Sequence, residues 1–354
     1  ILVLSFYSVV AGWTLHYTLQ SLGLRLMRHQ DFGEVFNQFV SNPWKPLVYQ
    51  YVFLLLTHFV VARGVESGIE RFSKVMMPML LVIIVLLSCF SLTMPGAYDG
   101  LNFLLKPDFS KVTTRVVLSA MGQAFFSLSV GIGCLATYAS YFKKDTNLVK
   151  SAVGVCAIDS MVAIMSGFII FPAAFSVAGV QVDSGPGLVY ITLPHVFNMA
   201  FENIPFIGYL FSALFYVLLL LAALTSTISM HEIATAFIRE NYKCSRQKSA
   251  VIVTLICIVL GTACSLSFGP WADIKIWGMG FFDLFDFLTA KFIMPLGGIL
   301  ITMFVEWYLD RKLVVDELTN GGAVRVRGLR FLLFLIRWVA PIGVGIVFLN
   351  ELAG

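Results

Sequence analysis

The chain has 354 residues, 58% hydrophobic and 12% charged, with a net charge of +4 and a mean hydropathy of +0.87. So little polar surface excludes a soluble globular domain and predicts an all-α polytopic membrane protein. The six cysteines show neither metal-ligand spacing nor a disulfide pattern, and no Ser-His-Asp or Cys-His arrangement is readable, so no enzyme is expected.

A spanning helix needs about 20 apolar residues. By that measure about nine spans follow in chain order: 1–24, 46–62, 75–97, 114–141, 150–177, 205–237, 248–268, 285–308 and 329–350. The chain opens at Ile1 within an apolar run that lacks a charged leader, so it is no signal peptide. The expectation is a longer protein whose N-terminal part lies outside this sequence.

The loops alternate in charge. One set carries Arg63, Arg71, Lys74, Lys143, Lys144, Lys150, Arg239, Lys243, Arg246, Lys248, Arg311, Lys312, Arg325, Arg327 and Arg330. The other carries Arg25, Arg28, Lys45, Lys106, Lys111, Arg115 and Lys275. The positive-inside rule makes the first set cytoplasmic. The outer segment 178–204 has no Lys or Arg and is Gly- and Pro-punctuated, which predicts a lid or cap folded back on the protein.

The span 114–141 is unlike the others. From Gln123 to Tyr141 it reads QAFFSLSVGIGCLATYASY, with Ser127, Ser129, Gly131 and Gly133 at its centre. Water cannot satisfy a freed peptide group in hydrocarbon, so an unwound backbone there must line a protein cavity or coordinate something. Broken helices of this kind build ion and solute sites in secondary transporters. Gly131-Ile132-Gly133 is no nucleotide fingerprint, because it lacks the third glycine and follows no strand.

Polar residues inside spans need a reason, since a charge at the helix centre costs at least about 2.5 kcal/mol. Asp159 lies ten residues into its span. It is either a carboxylate bonded to a neighbouring helix or a cation ligand or proton carrier. Thr225, Ser226 and Thr227 either bond back to carbonyls of their own helix or offer hard oxygens to an alkali cation. Asp283 and Asp286, three apart on one face, also fit a solvated helix start. His231-Glu232 is not a zinc motif, and His16, His29, His58 and His195 are scattered.

These segments resemble the neurotransmitter:sodium symporter family, and within it the bacterial amino-acid transporters. Residues 123–141 are similar to that family's sixth helix. SFYSVVAGWTL at 5–15 is similar to its third, LAALTSTISM at 221–230 to its eighth, and FFDLFDFLTAKFIMPLGG at 281–298 to its tenth. The resemblance implies an inverted-repeat fold of five plus five helices, of which this chain holds the third to the eleventh in a single transmembrane domain. The remainder of the first repeat would be 1–112, the second repeat 113–310, and a cytoplasmic loop with the last helix 311–354.

The resemblance also implies roles. Tyr7 matches a tyrosine that holds the substrate carboxylate and helps close the outer gate, and Phe126 the aromatic lid that meets it. Ser127 and Asp159 match ligands of one sodium site; the Ala222 carbonyl with the Thr225 and Ser226 hydroxyls matches most of a second. Both sites would be incomplete without the family's first helix. Val3, Ser129, Ile132 and Met230 match the wall around the substrate side chain, and Ser226 lies beside it. Asp286 matches the acid of the outer gate; Glu240 and Tyr141 match the inner gate.

The wall carries no charge, so a neutral, apolar or aromatic amino acid is expected. Many animal members supply charge with chloride, using Asn at the Asp159 position and Ser one turn later. Here that later residue is Ala163, which predicts sodium dependence without chloride dependence. The expected setting is multi-pass in the lipid bilayer of a bacterial inner membrane, with no nucleic-acid partner and no assigned oligomeric state. Two other readings stay open: a proton-coupled transporter of the same fold, and a substrate sensor that does not transport.

Overall fold

A chain that must satisfy its backbone N–H and C=O groups without water closes those bonds inside helices. The computed structural model describes residues 1–26, 31–143, 145–176, 185–202, 204–326 and 328–353. Arg28, His29, Lys144 and Arg327, and residues 178–184 and 203 of the outer segment, lie outside them. Among the described residues there is no β-strand, only an isolated bridge between Ile276 and Met279.

In chain order the first helices are α1 (Leu2–Leu22), α2 (Phe32–Val40), α3 (Lys45–Ala62), α4 (Arg71–Ser91) and α5 (Ala97–Leu105). Next come α6 (Thr114–Ser127), α7 (Cys134–Ala139), α8 (Leu148–Phe175), α9 (Leu193–Ala200), α10 (Pro205–Tyr242) and α11 (Arg246–Leu266). The last are α12 (Phe281–Asp286), α13 (Met294–Met303), α14 (Arg311–Thr319), α15 (Leu329–Phe334) and α16 (Ala340–Ala353). Wider π-type turns join α12 to α13 at Phe287–Ile293 and α15 to α16 at Leu335–Val339, and another precedes α4 at Val65–Glu70.

Eight helical stretches among the described residues are long and apolar enough to cross a membrane. They match eight of the nine expected spans. The ninth, 114–141, is the one that breaks, into α6 and α7. Helices run past the expected bounds where a hydropathy window stops at charge. The third span begins at Ser67 and ends at Ser91, eight residues earlier than expected at its start, with Arg71 and Lys74 already helical. The α10 helix runs past residue 237 to Tyr242, so Glu240 is helical too.

The chain forms two compact units, one of 1–106 with 162–285 and another of 107–161 with 286–354. The first packs around aromatic side chains of α1 and α10. The indole of Trp13 meets Phe36, Tyr190 and Phe268 edge-on at 5.4, 5.9 and 5.1 Å between ring centroids. Gly12 lets α1 approach α3 closely, since a methyl group there would lie 2.7 Å from the Gln50 nitrogen. Polar cross-links fix the register: Thr18 donates to the Tyr216 carbonyl at 3.1 Å and Ser21 to Ser212 at 2.9 Å.

The described part of the outer segment folds back into this unit, as a cap would. Tyr190, Leu193, Val196 and Phe197 are buried in the main apolar cluster. The Tyr190 hydroxyl bonds Thr14 at 2.7 Å and donates to the Val10 carbonyl at 3.1 Å, and burial pushes its ionisation above the usual tyrosine range. The second unit packs α6 and α13 against α16; Phe125 closes on Gly298 and Met121 on Gly343.

Candidate functional site

In the first unit the relevant residues lie on α1 and α10. Ala222, Thr225 and Ser226 are spaced by three and four residues and share one face of α10. Thr225 donates its hydroxyl to the Ala222 carbonyl at 2.9 Å, which brings two of the expected oxygens together. Tyr7 on α1 packs against the apolar cluster of Ala11, Leu15, Phe53 and Ala223, the last of these on the same helix as Ser226. Val3 belongs to the main apolar cluster and Met230 packs against it, so these wall residues share one environment. Thr227 plays a different part. It is fully buried, donates to the Leu224 carbonyl at 3.0 Å and bonds Thr57 at 3.0 Å, and so fastens α10 to α3. Glu240 is exposed near the end of the same helix.

In the second unit the helix breaks between Ser127 and Cys134. Ser129 has φ +53°, Gly131 +90° and Gly133 +85°, so three residues of the turn adopt the left-handed region. A methyl group on Gly131 would lie 2.1 Å from the Met294 carbonyl, and one on Gly297 would lie 2.6 Å from the Gly131 carbonyl. The turn therefore seats backbone on backbone against α13. Ser127, the last residue of α6, donates to both carboxylate oxygens of Asp159 on α8, at 2.8 and 2.9 Å.

Phe126 and Asp286, the expected lid and outer-gate acid, line one cavity of about 230 Å³ together with Gln123, Lys291, Met294 and Pro295. Ser129 and Ile132 are half-buried within the turn, and Tyr141 is exposed two residues beyond α7. The donor set at the break and on α10 is hydroxyl, carbonyl and one carboxylate, which suits a hard alkali cation. No group of three or more His, Cys, Asp or Glu side chains that could hold a metal is found among the described residues.

Three features escape a reading of the sequence that looks only at the break and Asp159. Glu232, fully buried on α10, is held by Arg246, with Nη1 at 3.0 Å from Oε1 and Nη2 on Oε2. Arg246 also donates through Nε to the Val61 carbonyl at 2.9 Å, so it opens α11 as a tie between three helices and is not a loop charge. The second is a histidine chain: Thr254 bonds His231 Nε2 and His58 Nδ1, each at 2.9 Å, and donates to the Ala250 carbonyl. With the Thr254 proton so used, both rings donate to its oxygen, and His231 Nδ1 accepts from Thr235 at 3.0 Å. The third is Lys291, within a span at the edge of the cavity beside Asp286. The rule that singled out Asp159, an ionisable group inside a span, applies equally to Glu232 and Lys291.

Comparison with known proteins assigns the family. A sequence profile of the sodium:neurotransmitter symporter family matches residues 39–353. An uncharacterised sodium-dependent transporter of Bacillus subtilis, YhdH, is 40% identical over 351 residues, 99% of this chain and 76% of the relative. An uncharacterised sodium-dependent transporter of Haemophilus influenzae is 29% identical over 357 residues, with the same shares of 99% and 76%. The crystal structure of MhsT in complex with L-phenylalanine superposes with a TM-score of 0.86 at 38% identity, covering 99% of this chain and 78% of that one. The fold is that of an all-α, multi-pass transporter, not an enzyme, and the chain belongs to the sodium:neurotransmitter symporter family.

Proposed function

We propose that the protein is a sodium-coupled symporter of a neutral, apolar or aromatic amino acid, working by alternating access in a bacterial inner membrane without need of chloride. The contact between Ser127 and Asp159 at the helix break carries the reading. It sets a hydroxyl and a carboxyl group side by side where the helix breaks, two hard oxygen donors of the kind an alkali cation prefers. In this reading Asp159 supplies the negative charge that a sodium ion needs inside a span.

In the proposed site Ser127 and Asp159 hold one sodium ion, and the Ala222 carbonyl with Thr225 and Ser226 holds a second. To coordinate sodium, Ser127 and Thr225 turn their protons away from Asp159 and Ala222 and present lone pairs. Tyr7 donates to the substrate carboxylate without adding another charge. Val3, Phe126, Ser129, Ile132 and Met230 surround its side chain. A solved structure 38% identical to the chain holds L-phenylalanine, which agrees with an apolar wall. Phe126 and Asp286 serve the outer gate, Tyr141 and Glu240 the inner one; residues 1–112 are the remainder of the first repeat and 113–310 the second.

The test is uptake of labelled amino acids by the full protein at fixed pH. Sodium is replaced in turn by choline, and chloride by gluconate. Uptake of apolar and aromatic amino acids is expected in sodium chloride and in sodium gluconate, and none in choline. Uptake that persists in choline would sink the sodium coupling, and loss in gluconate would sink the chloride independence.

A further inference from the structure

Between α3 and α4 the backbone turns at Gly64, with φ +107°, and enters the wide turn Val65–Glu70. Gly68 sits so close under α3 that a methyl group there would lie 2.2 Å from the Val60 carbonyl. That contact frames a cavity of about 270 Å³ bounded by Val60, Arg63, Ser67, Arg71, Phe72 and Met76. Arg63 and Arg71 are exposed at its mouth. Neighbouring cations are engaged elsewhere: Lys74 pairs with Glu70 at 2.6 Å, and Arg246 is committed to Glu232 and Val61. From the same place an apolar stripe runs along α4. Val75, Met79, Val82 and Leu86 follow at steps of four, three and four residues, and all are exposed.

Two guanidinium groups, a hydroxyl and an apolar track thus meet at the end of a span, on the side that the positive-inside count makes cytoplasmic. We propose that this cavity binds the phosphate of an anionic phospholipid from the cytoplasmic leaflet, with an acyl chain along the α4 stripe. Guanidinium forks match phosphate oxygens in pairs, and the anionic leaflet concentrates such headgroups near basic side chains. An aqueous phosphate would use the arginines but leave the stripe without a role. The site lies apart from the residues proposed for transport and does not depend on their assignment.

The experiment takes the purified full chain and measures retained lipid by native mass spectrometry after exposure to phosphatidylglycerol or phosphatidylcholine. Wild-type protein is expected to retain phosphatidylglycerol preferentially, with no displacement by inorganic phosphate. R63Q/R71Q should lower that preference by about thirtyfold, as two near-surface basic groups would provide. R311Q/K312Q, an equal loss of charge elsewhere, should leave it unchanged. An unchanged preference in R63Q/R71Q, an equal fall in R311Q/K312Q, or displacement by inorganic phosphate overturns the proposal. Should R63Q/R71Q fail to fold, R63K/R71K keeps the charge and loses the forks. Its preference should fall severalfold, and no change there overturns the proposal too.

Discussion

At the scale of single residues, the chemistry concentrates on Asp159. Its carboxylate accepts both contacts from Ser127, and the residue one turn later in the sequence is Ala163, which offers no ligand. Asp159→Asn should raise the sodium concentration for half-maximal uptake by about tenfold or more, equivalent to ~1.4 kcal/mol. Adding Ala163→Ser to that variant should make uptake depend on chloride, read as the ratio of rates in chloride and gluconate. A ratio of one in the double variant counts against the charge argument. Asp159 was legible from sequence because an acid inside an apolar run is conspicuous. Its partner was not fixed by periodicity, since Ser127 lies 32 residues earlier and only the tertiary fold joins them.

At the scale of elements, the helix break and the Arg246 tie give separable predictions. Gly131 and Gly133 both have positive φ, but only Gly131 has a backbone neighbour within contact distance. Gly133→Ala should cost about 1–2 kcal/mol from backbone strain alone. Gly131→Ala should cost about 3 kcal/mol or more, because the Met294 carbonyl must also move. Thermal unfolding in detergent compares the two, and equal losses would mean the turn does not lean on α13. Glu232→Ala leaves the Arg246 guanidinium without its carboxylate and should destabilise by about 3–5 kcal/mol. E232M/R246M, which removes both charges, should recover much of that loss in the same assay. The break was readable because serines and glycines interrupt an apolar run. The tie was not, because a sequence places Arg246 in a basic stretch and gives no sign that its side chain turns inward.

At the scale of the whole molecule, each compact unit is assembled from separated stretches of chain. The turn at 128–133 rests on Met294, Gly297 and Gly298, more than 150 residues further on. A chain ending at residue 280 should therefore leave the turn unsupported. With the other cysteines replaced by alanine, maleimide labelling of Cys134 should rise severalfold in that truncated chain. Labelling equal to the full chain would show that the turn holds its shape without α13. Hydropathy gave the spans because hydrocarbon imposes one rule on every segment. It did not give the interleaving, which depends on which helix faces meet.

The contact of Gly131 with Gly297 seats the turn on α13 through main chain. Where side chains meet, a rotamer change absorbs a small displacement; here no rotamer exists to do so. The joint is stiff. A pull on Ser127 at the edge of the turn therefore meets α13 through backbone that has no side chain to yield.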